Sequence, residues 1–545
     1  MRSRRHFLKT AATGAAWLAA PDIVISSLSA QTTESRVEVL LDEPIGTIAP
    51  EIYGHFVEHL GGVVYDGIWV GERSKIPNLG GLRKQLVDAL ARIKPGVIRW
   101  PGGCFADQYD WRDGIGPREK RPKRTNFWLD AREWSKTARR DGPACYDPNE
   151  FGTIEFARFS KLTGAQPYFA ANVRSLPALE FSRWVEYCNA PAGATTLAEQ
   201  RAADGEREPL KVRFWGVGNE SWGCGGEMTP EEYATEFRRW TSWAPRFGVA
   251  LAYIASGPNG ASMDWTRGFF RKLTEKGKGQ LRNVYGWALH YYCGTTGKGA
   301  LDFSVDDWYE LLNKADRMES LITDHWAAMG EIDTERRVKL IVDEWGAWHP
   351  AGTEIDPTHL FGQVSTMRDA LVAALTLDTF NRHADKLAMA NIAQLINCLQ
   401  SLFLARGDQF VLTPNYHVFE MYAGHQAATA VRTQVAAPRI GYSDRKSLWG
   451  LAGSASLEGK ALVLTLVNPH VTEERLAEIV VRGARISGGS TITLSAPDIH
   501  AHNSFTEPEA VKTESSRLSF GEGNPSSFLC QLKPASVTKL SLTLA

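Results

Sequence analysis

The chain has 545 residues, with 61 lysines and arginines against 62 aspartates and glutamates, and 10% of its residues are aromatic. This length exceeds a single domain of ordinary size and suffices for a large barrel with a companion domain. The balanced charge argues against a nucleic-acid-binding protein, which normally has a basic excess. The aromatic content argues against a disordered chain. No run of 18 apolar residues follows the N-terminal segment, so we predict no membrane span.

The first 30 residues match an export signal. Arg4 and Arg5 precede the modestly apolar run Ala11–Ala20, an arrangement typical of a twin-arginine signal peptide. Cleavage is expected near Ser29 or Ala30, and a basic N-terminal tail is the alternative. The pattern predicts export by the twin-arginine route, to the periplasm or out of the cell.

The cysteines indicate neither a disulfide-built fold nor a structural zinc site. There are seven of them, with no C-x-x-C pair and no zinc-knuckle spacing. One disulfide is compatible with an oxidising compartment, but the sequence does not identify its two partners.

Short apolar runs alternate with longer amphipathic segments from about residue 50 to 400. The amphipathic segment near residue 230 starts with a capping box, with Thr229 at the N-cap, Pro230 in the first turn and Glu232 three residues after the cap. Eight strands alternating with helices predict a (β/α)8 barrel. A doubly wound open sheet would alternate too, but no Gly-rich dinucleotide fingerprint follows the first strand. The strand-like runs are Ile52–Val57, Gly96–Trp100, Pro167–Val173, Val212–Val217, Ala250–Ala255, Tyr285–Tyr291, Val338–Val342 and Leu387–Ile392. Helical segments include Leu79–Ile93, Phe151–Leu162, Pro230–Phe247 and Trp265–Leu273.

After about residue 430 the pattern becomes β-rich. Leu540, Leu542 and Leu544 alternate with polar residues, as expected of a strand with one buried face. Val37 and Val39 alternate likewise before the barrel begins. We therefore predict an α/β protein in which a TIM barrel is followed by a jelly-roll-like β-sandwich that recruits the N-terminal strand. The predicted domains are 1–30 for the leader, 31–50 for the N-terminal strand, 51–425 for the catalytic barrel and 426–545 for the sandwich.

Two carboxylates are singled out by their positions. Glu220 follows the fourth strand-like run, and Glu344 follows the seventh. The carboxyl ends of barrel strands converge on one mouth, so these side chains can face each other although they are far apart in sequence. Two carboxyl groups about 5–5.5 Å apart are what a retaining glycosidase requires. For either residue alone, an ordinary glutamate at a strand end is the alternative.

An ordered series of motifs makes the chain similar to a known family. The chain resembles glycoside hydrolase family 51, the α-L-arabinofuranosidases of clan A. The resemblance runs from about Ile52 to the C-terminus. Its motifs are Phe56–Gly61, Arg99–Gly103, Asp110–Arg118, Gly218–Glu220, His290–Tyr292, Asp343–Trp345, Asn391–Gln394 and Ala501–Phe505.

The resemblance implies a role for each matching residue. Glu220 would be the general acid/base and Glu344 the nucleophile. Asn219 would hydrogen-bond the sugar 2-hydroxyl, an interaction that strengthens in the transition state. Glu58 and Gln394 would hold other hydroxyls from the first and eighth strands.

Further residues complete the implied site. Tyr292 would orient the nucleophile, and His290 would support the acid's side. Trp348 would lie beside the sugar, because an aromatic face suits the C–H face of a furanose, although packing at the barrel rim is the alternative. Arg99 and Cys104 complete the substrate-binding set. Many members have Asn at the position of Cys104, and a thiol is a weaker donor.

The loop Gly223–Gly226 follows the implied acid/base and contains Cys224. It could border the leaving-group side of the site, and a purely structural turn is an equal alternative.

Two other classes of function remain to be weighed. His55, Glu58 and His59 match an H-x-x-E-H zinc peptidase pattern, but that pattern binds zinc on a helix, whereas a strand separates the two histidines by about 13 Å. A non-catalytic glycan-binding protein on a hydrolase fold is the second class, and the presence of both carboxylates argues against it.

The resemblance therefore implies a retaining exo-glycosidase that releases terminal α-L-arabinofuranosyl residues from arabinose-containing glycans. A β-D-xyloside, another furanoside or internal cleavage of a β-glucan is the alternative within the family. No metal or organic cofactor is implied, and the expected partner is a carbohydrate substrate. The family resemblance also implies a homo-oligomer, a trimer or hexamer.

Overall fold

The computed structural model describes residues 22–25, 34–133, 142–143, 145–351, 354–356, 359–520 and 525–545. Apart from residues 22–25, the predicted leader with its arginine pair and its cleavage positions lies outside the described residues. None of the helices in these ranges combines the length and the apolar character that a membrane crossing requires.

Eight parallel strands close into a barrel, which confirms the predicted fold class. Each strand pairs with the next one along the chain, and the eighth pairs with the first. The strands are Gly54–Phe56, Val97–Trp100, Gln166–Ala171, Phe214–Val217, Ala252–Asn259, Gly286–Gly294, Lys339–Ala347 and Leu387–Ile392. The barrel interior is filled at the strand starts by Val97, Tyr168, Phe214, Ala252, Ile254, Ala288, Ile341 and Met389. This packed layer closes one end, so only the mouth at the other end is open for chemistry.

The helices surround the barrel, and the bounds of two of them differ from the predicted ones by five residues or more. The first helix begins at Lys84 instead of Leu79, because Gly80 and Gly81, both at positive φ, turn a short hairpin ahead of it. The helix that begins at Pro230 ends at Thr241. Its capping box is present, with reciprocal hydrogen bonds between Thr229 and Glu232. The helices are Lys84–Ile93, Thr153–Thr163, Ala178–Asn189, Thr196–Ala203, Pro230–Thr241, Met263–Thr274, Val305–Asp316, Met318–Gly330, Met367–Arg382 and Pro414–Tyr422.

A ten-stranded sheet forms the second part of the molecule. Its strands, in spatial order, are Asp22–Ile25, Thr513–Phe520, Ile486–Leu494, Ser536–Leu544, Ala461–Asn468, Ala452–Glu458, Thr429–Ala436, Ser35–Thr47, Arg475–Arg482 and Ser527–Leu532. Phe520 and Phe528 come from strands near opposite edges, yet their ring centroids are 5.2 Å apart. The sheet therefore curls around one apolar core, and Ser35–Thr47 lies inside it, as predicted for the N-terminal strand.

A buried polar cluster joins the barrel to the sheet. Asp378 lies on the helix Met367–Arg382 and is fully buried. Its Oδ1 accepts hydrogen bonds from the hydroxyls of Ser454 and Thr465, both at 2.6 Å, and its Oδ2 accepts one from Tyr422 at 2.9 Å. Burial raises the pKa of Asp378 to about 6, although the three hydroxyl donors oppose that rise. This carboxyl group connects the helix Met367–Arg382 to two strands of the sheet.

Candidate active site

The barrel brings the two predicted carboxylates together at its mouth. Glu220 follows the fourth strand, whereas Glu344 lies within the seventh strand, which continues to Ala347. One oxygen of Glu220, one oxygen of Glu344 and a ring nitrogen of His290 all lie within 4.8 Å of one another. Glu344 is buried, and the side chain of Glu220 is 19% exposed, so the Glu220 side of the pair faces solvent.

The backbone turns sharply where it delivers Glu220. Gly218 has φ +81°, and Glu220 itself has φ +39°, in the left-handed region that side-chain-bearing residues seldom adopt. The carbonyl oxygen of Glu220 accepts hydrogen bonds from Gly223 at 2.7 Å and Gly225 at 3.1 Å. This tight turn redirects the chain so that Glu220 points across the mouth instead of along the barrel wall.

Donors on two sides keep Glu344 ionised. Arg99 Nη1 donates to Oε1 at 2.7 Å, and the Tyr292 hydroxyl donates to Oε2 at 2.8 Å. Burial alone would raise the pKa of Glu344, but the charges of His290 and Arg99 and these two hydrogen bonds outweigh it, so the pKa lies below its ordinary value. Glu344 is therefore a carboxylate at neutral pH, as a nucleophile must be.

His290 lies between the two carboxyl groups. Its Nδ1 is 3.0 Å from Oε1 of Glu220 and 3.6 Å from Oε2 of Glu344. Burial would lower the pKa of His290, but the charge of Glu344 and the hydrogen bond to Glu220 outweigh burial, and the pKa is raised. A protonated imidazole at this position places a positive charge beside both carboxyl groups.

Glu58 and Gln394 form a further part of the site, close to Glu344. Gln394 Nε2 donates to Glu58 Oε2 at 3.2 Å, and the backbone N–H of Phe105 donates to Oε1 at 2.9 Å. Burial and the nearby charge of Glu344 raise the pKa of Glu58 to about 8. Glu58 is thus mostly protonated at neutral pH, and a carboxylic acid can both donate to and accept from sugar hydroxyls. A Cβ atom at Gly103 would lie 3.2 Å from an oxygen of Glu58 and of Glu344, so glycine keeps this space open.

The other predicted substrate-binding residues also lie at the mouth. Arg99 Nη2 donates to Oδ1 of Asn219 at 2.5 Å, and the Asn219 amide nitrogen lies 3.8 Å from Sγ of Cys224. The half-buried Trp348 packs its ring against Tyr292, with ring centroids 4.9 Å apart. Trp348 thereby extends the aromatic wall beside Glu344.

A disulfide that the sequence could not assign crosses the site. Cys104, in the turn after the second strand, is bonded to Cys224, in the loop after Glu220. The two sulfur atoms lie 3.9 and 3.7 Å from Oε2 of Glu220. A disulfide sulfur carries no proton, so these contacts donate nothing and instead give one oxygen of Glu220 an apolar neighbour. The expected thiol donor at residue 104 is therefore replaced by a covalent cross-link.

The H-x-x-E-H pattern does not form a zinc site. His55 lies in the first strand, is fully buried and contacts the ring of Phe419, and burial lowers its pKa to about 3. His59 uses both ring nitrogens elsewhere, because Nε2 accepts from the indole of Trp100 and Nδ1 donates to Asp147. An indole only donates, so no lone pair of His59 remains for a metal.

Two buried aspartates support the site, and sequence reasoning missed both roles. Asp343 accepts hydrogen bonds from Tyr168 at 2.6 Å and Asn391 at 3.0 Å, and it lies 3.4 Å from Arg99. Asp107 accepts three backbone N–H groups, including that of Asn219. Asp343 stands next to Glu344 in sequence, and Asp107 follows Gly102–Gly103 by a few residues. Their places in strand-end segments were the available signals.

The mouth of the closed barrel holds two acidic side chains. Glu344 is kept ionised by donors from Arg99 and Tyr292, and Glu220 is open to solvent. This arrangement is that of a glycoside hydrolase. The chain matches the family models for the alpha-L-arabinofuranosidase 1 domain over residues 89–256 and the alpha-L-arabinofuranosidase C-terminal domain over residues 343–536. It is 37% identical to the intracellular exo-alpha-L-arabinofuranosidase of Bacteroides ovatus, over 89% of this chain and 91% of that protein.

Solved structures agree with this assignment. The crystal structure of the GH51 arabinofuranosidase from Xanthomonas axonopodis pv. citri is 35% identical, with a TM-score of 0.85 over 94% of this chain and 100% of that one. The chain belongs to glycoside hydrolase family 51, the arabinofuranosidase family.

The prediction of export is wrong. The Bacteroides ovatus relative is named intracellular, and so is the exo-alpha-(1->5)-L-arabinofuranosidase of Acetivibrio thermocellus, which is 26% identical over 91% of this chain and 97% of its own. Moreover, Asp22–Ile25, inside the predicted leader, pairs in parallel with Arg517–Phe520 of the sheet. A basic segment followed by an alanine-rich run meets the pattern of an export signal by composition alone, and that is why the N-terminus was misinterpreted.

Proposed function

We propose that the chain is a retaining exo-α-L-arabinofuranosidase that releases terminal non-reducing arabinofuranosyl residues from arabinose-containing polysaccharides or oligosaccharides. The observation that carries the mechanism is the approach of Glu220 and Glu344 oxygens to within 4.8 Å. Retaining enzymes hold their carboxyl groups about 5–5.5 Å apart, whereas inverting enzymes need about 6.5–9.5 Å to admit a water molecule. The substrate follows from the names of the relatives, which are exo-α-L-arabinofuranosidases.

In the first step, the Glu344 carboxylate attacks the anomeric carbon, and the bond to the leaving oxygen breaks as Glu220 gives that oxygen its proton. A covalent ester then joins the sugar to Glu344. In the second step, Glu220 takes a proton from a water molecule, whose oxygen attacks the anomeric carbon and releases Glu344 as a carboxylate. Each of the two steps inverts the configuration of the anomeric carbon, so the product retains the configuration of the substrate.

The remaining residues of the site would bind the sugar. Arg99 occupies the oxygen of the Asn219 amide, and one N–H of its nitrogen faces Sγ of Cys224 at 3.8 Å, so the second N–H would donate to the 2-hydroxyl. Protonated Glu58 and Gln394 would hold other hydroxyls, and Trp348 would cover an apolar face of the ring. We also propose, from the family resemblance, that the chain assembles into a trimer or hexamer, which light scattering can test.

The mechanism is tested with two variants and one control. Glu344→Ala should lose nearly all hydrolysis. Glu220→Ala should lose about 10²- to 10⁴-fold on a phenyl glycoside but far less on a 2,4-dinitrophenyl glycoside, whose leaving group needs no proton. Glu335→Ala, at an exposed site before the seventh strand, should keep full activity. Substantial turnover by Glu344→Ala, or equal losses on both substrates for Glu220→Ala, would contradict the assignments.

Substrate and stereochemistry require two further measurements. Rates on 4-nitrophenyl α-L-arabinofuranoside, β-D-xyloside and β-D-galactofuranoside should favour the first by a wide margin. NMR of the earliest product should show retained anomeric configuration. Preference for either other glycoside overturns the proposed substrate, and an inverted product overturns the mechanism.

A further inference from the structure

One buried carboxylate outside the sugar-binding walls connects its own turn to two other segments of the barrel mouth. Asp107 lies in the 3-10 turn Cys104–Gln108 after the second strand and has no solvent exposure. Its Oδ1 accepts the backbone N–H groups of Val173 at 2.9 Å and Arg174 at 3.2 Å, after the third strand. Its Oδ2 accepts the N–H of Asn219 at 3.0 Å, at the end of the fourth strand.

The N–H of Asn219 immediately precedes the turn that delivers Glu220. That turn is unfavourable by itself, because Glu220 has a positive φ, and a non-glycine residue in the left-handed region is destabilised by about 1–2 kcal/mol. Such a conformation persists only where surrounding contacts fix it. On the N-terminal side of Glu220, the carboxylate of Asp107 provides such a contact.

Packing around this contact is close. A Cβ atom at Gly225 would lie 1.8 Å from the carbonyl oxygen of Asn219 and 3.0 Å from Oδ2 of Asp107. The loop after Glu220 therefore packs closely against both the carbonyl of Asn219 and the carboxylate of Asp107.

The turn that carries Asp107 is itself held in place. Its first residue, Cys104, is cross-linked to Cys224, and its second, Phe105, donates its N–H to Glu58. The backbone carbonyl of Asp107 accepts further hydrogen bonds from Arg174 Nε and Ser175 Oγ, both at 3.1 Å. These contacts hold Asp107 in one position, and its hydrogen bond to Asn219 fixes the end of the fourth strand relative to that position.

We propose that Asp107 is the positioning residue for the acid/base side of the site, which it aligns by holding the N–H of Asn219 through its carboxylate. It acts through Asn219 and Glu220 and makes no step of the reaction itself. Burial raises the pKa of Asp107 to about 7. The N–H groups of Arg174, Val173 and Asn219 oppose that rise, because hydrogen bonds donated to a carboxylate stabilise its charged form. This proposal rests on the proposed role of Glu220 as general acid/base.

The test compares Asp107→Asn with a matched control. Asparagine keeps the size of the side chain but places an NH2 group against backbone N–H donors. The control is Asp110→Asn, three residues after Asp107. The carboxylate of Asp110 accepts the backbone N–H of Arg112 at 3.0 Å, and this hydrogen bond does not involve the fourth strand. The measured quantity is the ratio of kcat/KM on 2,4-dinitrophenyl to that on phenyl α-L-arabinofuranoside, because this ratio rises when proton donation fails.

Asp107→Asn should raise this ratio by about 10- to 100-fold, the effect expected when a catalytic group is displaced by up to about 1 Å. Asp110→Asn should leave the ratio at its wild-type value. In a Glu220→Ala background, Asp107→Asn should not change the ratio, because the group that Asp107 aligns is absent. A loss of general stability would lower both rates together and would not move the ratio.

Equal losses on both substrates for Asp107→Asn, or a further rise in the ratio in the Glu220→Ala background, would overturn the positioning role. If Asp107→Asn does not fold, Asp107→Ser, whose hydroxyl retains an acceptor in a smaller volume, is subjected to the same two comparisons. If Glu220→Ala itself fails to raise the ratio, the proposed function fails, and the positioning role fails with it. If Glu220→Ala raises the ratio and Asp107→Asn does not, only the positioning role fails.

Discussion

Removing the hydroxyl of Tyr292 isolates one hydrogen bond to the proposed nucleophile. Tyr292→Phe keeps the ring that packs against Trp348, and it deletes the donor that lies 2.8 Å from Oε2 of Glu344. A hydrogen bond to a charged group contributes about 1.5–3 kcal/mol, which corresponds to about one to two pH units at about 1.4 kcal/mol per unit. Because this bond favours the ionised form of Glu344, its loss raises the pKa of Glu344. The acid limb of kcat/KM should therefore move upward by about one to two pH units.

The two chemical steps should respond differently to this change. When Glu344 attacks, its negative charge is decreasing, so a missing donor does not slow the step. When the ester breaks, Glu344 departs as a carboxylate, and without the donor the departing charge is less stable. We expect kcat to fall by about 10-fold. This corresponds to about 1.5 kcal/mol, the lower end of the range given for the hydrogen bond, because only part of the charge has formed in the transition state. The value of kcat/KM at pH well above the acid limb should change little.

Pre-steady-state kinetics on 2,4-dinitrophenyl α-L-arabinofuranoside measure this difference. Slower breakdown of the ester should produce a burst of phenolate equal to the enzyme concentration. Tyr291→Phe is the matched control, because the hydroxyl of Tyr291 donates to the backbone carbonyl of Lys314 at 2.6 Å, away from Glu344. The reasoning is refuted if Tyr292→Phe loses kcat and kcat/KM equally, shows no burst and leaves the acid limb unmoved.

Three other predictions concern stability and metals. Cys104→Ser, which opens the cross-link to Cys224, should lower the free energy of unfolding by about 2–4 kcal/mol in urea; dithiothreitol should destabilise the wild type but not the variant, and an equal response of both would contradict this. The raised pKa of Asp378 means that its contribution to stability is complete below about pH 4 and is lost as the pH rises through 6. Asp378→Asn should therefore gain about 3 kcal/mol relative to wild type between pH 4 and pH 7, and a constant difference would be evidence against the assignment. Because the ring nitrogens of His59 are used by Trp100 and Asp147, EDTA should leave hydrolysis unchanged, whereas a loss that zinc restores would revive the metal hypothesis.

Local patterns in the sequence predicted most of the architecture. Each of the eight apolar runs overlaps a barrel strand, and Thr229 and Glu232 form the capping box that their spacing indicates. Such features depend on a few consecutive residues, so they can be recognised one segment at a time. The placement of Glu220 and Glu344 at one mouth follows from the barrel itself, because all its parallel strands end on the same side.

The tertiary structure alone decided how those strand ends are connected. The bond between Cys104 and Cys224, the ion pair of Glu344 with Arg99 and the hydrogen bond from Asn219 to Asp107 each join segments that belong to or follow different strands. No local periodicity encodes such contacts, because closure of the barrel sets the distances between strand ends. The same dependence on tertiary placement applies to the short pattern of His55 and His59, for which the sequence predicted no zinc site. A spacing of four residues brings two side chains together on a helix, whereas it separates them by about 13 Å along a strand, and His59 lies beyond the first barrel strand, which ends at Phe56.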